Sequence, residues 1–146
     1  MADTVEDILA AWPADQPETR RAFAFLAQRA AEAPGTSLAV VSRPGVSHSL
    51  RAALPRNRPV YFLVDVVVSE SDPWFLSACF YADEVADPRE LGNAIPQGLF
   101  DETGYCFDVE DDDLDFLNYI AGRILEAHAA ASADSGLEEG VEKRVI

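Results

Sequence analysis

The eleven residues 59–69, PVYFLVDVVVS, decide the fold of this chain. They are apolar on both faces of an extended strand, and their valine content favours the β conformation. Turn signals flank them, with PRNR at 55–58 before the run and Asp72-Pro73 after it. The stretch therefore predicts a central strand that is covered on each side.

Further strands are predicted on both sides of this run. SLAVVSR (37–43) and VSHSLRAAL (46–54) are separated by a Pro-Gly turn, and the second alternates apolar with polar residues. WFLSACFY (74–81) is another aromatic-rich strand, and GLFDETGYCFDV (98–109) predicts a hairpin in which Gly104 supplies a positive φ. Because short turns join successive strands, we expect an antiparallel meander.

Four helices are predicted around the strands. The first begins at the cap residue Thr4, and the second begins at the cap residue Asp15. A brief helix is expected after Asp87, and a long one after the three aspartates at 111–113. The long helix is expected to bury one stripe, which consists of Leu114, Leu117, Ala121, Ile124, Leu125 and His128.

These elements predict a single α+β domain over residues 1–131. Its antiparallel sheet has four to five strands and is flanked by N-terminal helices and a long C-terminal helix. The remaining segment, 132–146, is rich in Ala, Ser, Gly and Glu, and we expect it to be a disordered acidic tail.

Charge is distributed very unevenly along the chain. Residues 1–58 carry 7 arginines against 6 acidic residues, whereas residues 59–146 carry 20 acidic residues against 4 basic ones. The net charge of −15 repels phosphate backbones. We therefore expect no nucleic-acid binding, and a basic protein is the natural electrostatic partner.

Composition favours a cytoplasmic protein. No stretch approaches the ~18 apolar residues of a membrane span, so we expect no membrane partner, and the acidic N-terminus is unlike a secretory leader. Cys79 and Cys106 are too few for a disulfide framework and too far apart for a zinc knuckle. We expect two reduced, partly buried thiols. Abundant Ala and Arg indicate a GC-rich bacterial genome.

No motif in the sequence identifies a reaction. It contains no glycine-rich phosphate loop, no CxxC pair and no serine elbow, and we expect no cofactor. The acidic cluster at 108–115 does not fit an EF-hand loop. We interpret it as helix capping and solubility, and we expect no metal site.

A basic pole lies between Glu32 and Asp65, where the sequence contains no acidic residue. It consists of Arg43, His48, Arg51, Arg56 and Arg58. One interpretation is that these side chains dock on the acidic C-terminal half. The other is an anion or small-ligand pocket, in a binding protein or an enzyme, formed by Arg43, His48, Arg51 and Asp65 on adjacent strands.

Aromatic residues are more numerous than a modest sheet needs for its core. We therefore expect a non-enzymatic protein-binding module, a dimeric chaperone or adaptor, with apolar contacts from Trp74, Phe75, Phe80 and Tyr81. The pocket of the basic pole is the alternative. A further alternative is an acidic decoy that binds a basic protein in place of nucleic acid.

The order of elements over 15–133 resembles the small, acidic α+β chaperones of type III secretion. Element order and composition carry the resemblance: a helix, three or more strands, a short helix, a hairpin and a long helix with an acidic cap. The resemblance implies a homodimer that pairs around Asp87–Ile95 and holds unfolded client segments along hydrophobic patches. The chain departs from it in the added helix at 1–12 and in a C-terminal half that is one strand short.

Overall fold

A six-stranded antiparallel sheet forms the centre of the computed structural model, which describes residues 3–145 and side chains up to residue 134. The helices are α1 (Val5–Ala10), α2 (Pro17–Glu32) and α3 (Leu114–Val145). The strands are β1 (Ser37–Arg43), β2 (Ser47–Ala53), β3 (Phe62–Val67), β4 (Phe75–Tyr81), β5 (Asn93–Leu99) and β6 (Glu102–Val109), in the order β1-β2-β3-β4-β6-β5. The predicted α+β fold is confirmed, with six strands in the described residues instead of four to five.

Strand β3 lies inside the apolar run 59–69 and occupies the middle of the sheet, as predicted. Phe62, Val64 and Val66 are fully buried on the face that the helices cover. On the opposite face, Leu63 is only 5% exposed, whereas Asp65 is half-buried. Strands on both sides and apolar residues on both faces therefore make β3 central.

The helices cover one face of the sheet and share one apolar core with it. Phe23 of α2 and Ile120 of α3 are fully buried in this core. Across β3, β4 and β6, a row of aromatic rings continues it, with centroids 5.0 Å apart for Phe62 and Phe80 and 6.0 Å apart for Phe80 and Phe107. Such offset and edge-to-face pairs add to the stabilisation from burial alone.

Two of the predicted helix caps are confirmed. The hydroxyl of Thr4 accepts a hydrogen bond from the backbone N–H of Asp7 at 3.1 Å. The carboxylate of Asp113 accepts one from the backbone N–H of Asp115, also at 3.1 Å. Each cap satisfies one of the backbone donors that the first turn of a helix leaves free.

The cap predicted for the second helix is wrong. Helix α2 begins at Pro17 and follows Gln16, not Asp15, and no side chain caps it. Proline suits this first position because it has no N–H to satisfy. The side-chain oxygen of Gln16 instead accepts the backbone N–H of Trp74 at 2.7 Å, which ties the start of α2 to the sheet.

The predicted stripe of helix α3 is correct at Leu117 and Ile124 but wrong at Leu114 and Leu125. Leu114 and Leu125 are 59% and 67% exposed. The buried residues are Leu117, Ile120, Ile124, Ala127 and Ala131, which are spaced three or four apart. Apolar residues occupy so broad an arc of this helix that periodicity alone does not fix its orientation.

The predicted disordered tail, 132–146, falls mainly on residues whose side chains lie outside the described part of the chain, and it stays a prediction. Among the described residues, no helix combines the length and the apolar character that crossing a membrane requires.

The brief helix predicted after Asp87 is wrong, because residues 87–92 form a loop that leads into β5, which begins at Asn93. The carboxylate of Asp87 accepts the backbone N–H groups of Leu91 and Gly92 at 3.0 and 2.9 Å, and the hydroxyls of Tyr105 and Tyr119, both at 2.5 Å. Burial opposes the ionisation of Asp87, but these hydrogen bonds hold its pKa well below the usual range. The hydrogen bond to Asp87 in turn raises the pKa of Tyr105 to about 12.

The hairpin of β5 and β6 turns at Phe100 and Asp101, which have φ values of 48° and 66°. The predicted turn at 101–104 is therefore displaced, and Gly104 lies within β6. The hairpin folds Leu99 onto the second face of the sheet. A small apolar cluster forms there from Val60, Leu63, Cys79, Tyr81 and Leu99.

Candidate functional site

The two edges of the sheet differ in their protection against pairing with another chain. Strand β5 contains Pro96 and shifts register between Ile95 and Leu99, and both features hinder strand addition. Strand β1 has seven residues and contains neither proline nor an acidic residue. Its Leu38 and Val41 are 38% and 40% exposed. Within the described residues, no other strand pairs with the outer side of β1, so this strand presents an edge that neither proline nor an acidic residue protects.

A tight turn holds β1 in place. The backbone N–H of Val46 donates to the carbonyl of Arg43 at 2.9 Å, and Gly45 between them has a φ of 74°. Pro44 and Gly45 suit the two central positions of a type II turn, where the second residue needs a positive φ. All seven residues of β1 pair with β2, so the free edge is preformed.

A groove of about 440 Å³ lies beside β1 on the helix side of the sheet. Ala24, Ala27 and Ala31 of α2 contribute to its lining, and their small side chains leave the space open. The other lining residues are Asp3, Thr4, Val5, Glu6, Leu9, Gln28, Leu38, Ala39, Val40 and Leu50. Free backbone and an apolar groove thus lie next to each other.

Helix α1 forms part of this groove and is fixed against α2. Ile8 is fully buried, and the guanidinium of Arg20 donates to the carbonyl of Leu9 at 3.1 Å. The indole N–H of Trp12 donates to the hydroxyl of Thr19 at 3.1 Å. These contacts keep the groove open in the folded monomer.

The charged residues that line the groove are acidic. Asp3 and Glu6 line it, and none of the described lining residues is basic. In the same turn, hydrogen bonds from the backbone N–H of Asp3 and the hydroxyl of Thr4 lower the pKa of Asp7. This end of α1 is therefore negatively charged at neutral pH.

Three of the four aromatic residues predicted as partner contacts lie in the core. Trp74 is 7% exposed, and Phe80 and Tyr81 are fully buried. Phe75 is half-buried and lies on the sheet face that the helices leave uncovered, opposite Val67 in the register. Of the four, Phe75 is the residue that retains surface for a partner.

The predicted pocket of Arg43, His48, Arg51 and Asp65 is not assembled. His48 faces the helices, where its ring lies 6.3 Å from that of Trp74 and burial lowers its pKa. Alternation along the strands places the other three side chains on the opposite face. Within the described residues, Asp65 forms no ion pair with its basic neighbours.

Part of the basic pole docks on the acidic half, as the first interpretation predicted. Arg56 pairs with Glu84, and their side chains are 1% and 6% exposed. Arg58 donates two hydrogen bonds of 2.9 Å to Asp83 and two, of 2.6 and 3.1 Å, to Glu102. These hydrogen bonds raise the pKa of Arg58. The two arginines thus join the loop before β3 to the segment after β4.

The prediction of two reduced thiols is wrong in this structure. Cys79 of β4 and Cys106 of β6 are directly opposite in the register, with Cα atoms 4.2 Å apart, and they form a disulfide. Their separation of 27 residues in sequence concealed this proximity, because strand order brings them together.

The acidic cluster has structural partners. Asp112 accepts a hydrogen bond from Arg21 of α2 at 2.8 Å, and Asp113 caps α3. In the part of the chain that is described, no group of three or more His, Cys, Asp or Glu residues is placed to hold a metal ion.

Sequence reasoning did not identify the β1 edge as a candidate site. A signal was present, since SLAVVSR lacks both proline and acidic residues, whereas NAIPQGL carries a proline. The strand order that turns this difference into a free edge and a protected edge was not predicted.

Comparisons of the chain with protein-family models, with curated proteins and with solved structures find no match. The resemblance to secretion chaperones stays a prediction. Its implied dimer segment, Asp87–Ile95, is a loop followed by the first three residues of β5 instead of a helix.

Proposed function

We propose that this protein is a protein-binding module that takes an extended segment of a partner protein onto the free edge of β1. The observation that carries the proposal is the contrast between an unprotected β1 and a β5 interrupted by Pro96. Proteins commonly blunt edge strands to prevent unwanted pairing, so an unblunted edge beside an apolar groove is suited to a partner strand.

Strand addition requires only a free strand edge and pockets for side chains, so it is consistent with a sequence that contains no catalytic motif. The partner's backbone hydrogen-bonds to β1, and alternate side chains of the partner enter the groove beside Leu38 and Val40. This mode suits an adaptor or chaperone that holds extended client segments. The acidic net charge of −15 increases the rate of encounter with a basic partner.

The test uses a matched pair of edge variants, Leu38→Lys and Ile95→Lys. Leu38 and Ile95 are 38% and 42% exposed and lie on opposite edges of the sheet. Each tagged variant and the parent protein are used to capture partners from host lysate at two salt concentrations. Because a lysine in the groove blocks the edge of β1, Leu38→Lys should lose a stoichiometric partner that Ile95→Lys retains.

Equal capture by both variants would exclude β1 as the binding surface. If the partners retained by both variants were basic proteins released by moderate salt, the acidic decoy would be the better explanation.

A further inference from the structure

We infer that the groove beside β1 selects a segment with alternating apolar residues flanked by lysine or arginine. This inference rests on the proposed function, because it concerns the occupant of the same edge. It adds the chemical class of that occupant: a basic, extended segment of another protein.

The alternation follows from the position of the groove. Leu38 and Val40, which point toward the helix side of the sheet, line it together with residues of α1 and α2. In an added strand, only every second side chain points to that side. Those side chains meet an apolar lining that includes Val5 and Leu9, so apolar residues are favoured at alternate positions of the partner.

The size of the alternate residues follows from helix α2. Ala24, Ala27 and Ala31 recur along the part of α2 that lines the groove. A volume of about 440 Å³ is comparable to pockets that hold a small organic ligand, roughly 300–1,000 Å³. Aliphatic side chains such as valine and leucine therefore fit where larger residues on α2 would have filled the space.

The charge of the occupant follows from Asp3 and Glu6. Both line the groove, and none of the described residues that line it is basic. A lysine or arginine on the same side of the added strand, two positions beyond an apolar residue, complements these carboxylates, whereas a glutamate is repelled by them. The net charge of −15 acts in the same direction at longer range and also opposes occupation of the edge by a second copy of this chain.

The test measures binding of synthetic peptides to the intact protein by fluorescence anisotropy. The probe is KSVSLSVSK, with blocked ends and a dye, in which the lysines lie on the same side of the strand as the apolar residues. The controls are ESVSLSVSE, which inverts the charge, and KSSVVLSSK, which has the same composition without alternation. At low salt, the probe should bind about tenfold more tightly than either control. The variant Leu38→Lys should bind the probe more weakly than the parent protein does, and Ile95→Lys should bind it with unchanged affinity.

Backbone pairing is tested by N-methylation of the probe. An added strand uses the N–H groups of alternate residues only, so methylation at either the odd or the even positions should abolish binding, and methylation at the other set should not. Equal loss with both sets, or with neither, would contradict strand addition.

The outcomes separate this inference from the proposed function. If the three peptides bound equally, or none bound, while Leu38→Lys still lost its cellular partner, the basic alternating occupant would be wrong and the binding edge would stand. If Leu38→Lys affected neither the peptides nor the partner, both would be wrong. Should light scattering show a dimer of the 15.9 kDa chain that Leu38→Lys dissociates, a second copy is the occupant and the inference is overturned.

Discussion

Replacing Glu84 by glutamine should destabilise the protein far more than replacing an exposed acidic residue. Glu84 pairs with Arg56, and the two side chains are 6% and 1% exposed. Burial opposes the charge of Arg56, but the hydrogen bonds to Glu84 and Asp134 outweigh it and raise its pKa. Glu84→Gln would therefore leave a buried guanidinium that has lost its principal counter-charge.

The magnitude follows from the partners that remain. Removing one member of a buried ion pair costs about 3–5 kcal/mol. Arg56 keeps the carbonyl of Val60 at 2.8 Å and the exposed carboxylate of Asp134 at 3.1 Å. Because these contacts compensate in part, we expect a loss near the lower end, about 3 kcal/mol in the free energy of unfolding.

Urea unfolding followed by tryptophan fluorescence measures this loss, since Trp12 and Trp74 are buried and report on the core. The control is Asp115→Asn, which removes an exposed ion pair with Arg89. The side chain of Asp115 is 73% exposed and that of Arg89 is 51% exposed. It should cost less than about 1 kcal/mol.

An apolar replacement of the whole pair completes the test. The double variant Arg56→Met/Glu84→Leu should be more stable than Glu84→Gln, because it leaves no unpaired charge in the interior. A cost for Glu84→Gln no larger than that for Asp115→Asn would refute the reasoning. So would a double variant that is less stable than the single one.

Three further predictions concern the second face of the sheet and the loop before β5. Cys106→Ser removes a disulfide that spans 27 residues and should lower the free energy of unfolding by about 3.5 kcal/mol. The measurement is urea unfolding without reductant, and an unchanged urea midpoint would contradict the disulfide between Cys79 and Cys106. Asp87→Asn should cost about 2–3 kcal/mol at pH 7. Because the folded-state pKa of Asp87 is depressed below 3.8, its contribution is complete above that pH and declines as pH falls below it, so the stability difference should shrink in acid. Phe100→Gly relieves a left-handed conformation that costs about 1–2 kcal/mol, but it also loses a cation–π contact with Arg51. We expect a stability equal to or slightly above that of the parent in thermal unfolding, and a marked loss would show that the turn is unstrained.

The central strand and the meander of β1 to β4 could be predicted because their signals are local. The run 59–69 is too apolar for an exposed strand, and Pro44-Gly45 marks the β1–β2 turn directly. The same reasoning failed at β5, where Pro96 and Gly98 indicate a broken element. Strand β5 tolerates proline because it lies at the edge of the sheet, a position that local sequence does not reveal.

The candidate site was less predictable because it depends on contacts between distant residues. Trp74, Phe80 and Tyr81 have the composition of a contact surface, yet helices, neighbouring strands and arginines cover them. Asp87 was predicted to cap a helix, whereas its carboxylate accepts hydrogen bonds from the hydroxyls of Tyr105 and Tyr119 and holds the loop before β5 in place. In each case the partner lies on another element, so spacing along the chain does not report it.

Amide hydrogen exchange of β1, with and without the probe KSVSLSVSK, tests the central claim most directly. The account predicts that alternate amides within 37–43 exchange about tenfold or more slowly when the probe is bound, because those that point away from β2 acquire partners. The amides of β5 should not change. Saturating binding with no added protection in β1, or with protection confined to β5 or α3, would contradict strand addition at this edge.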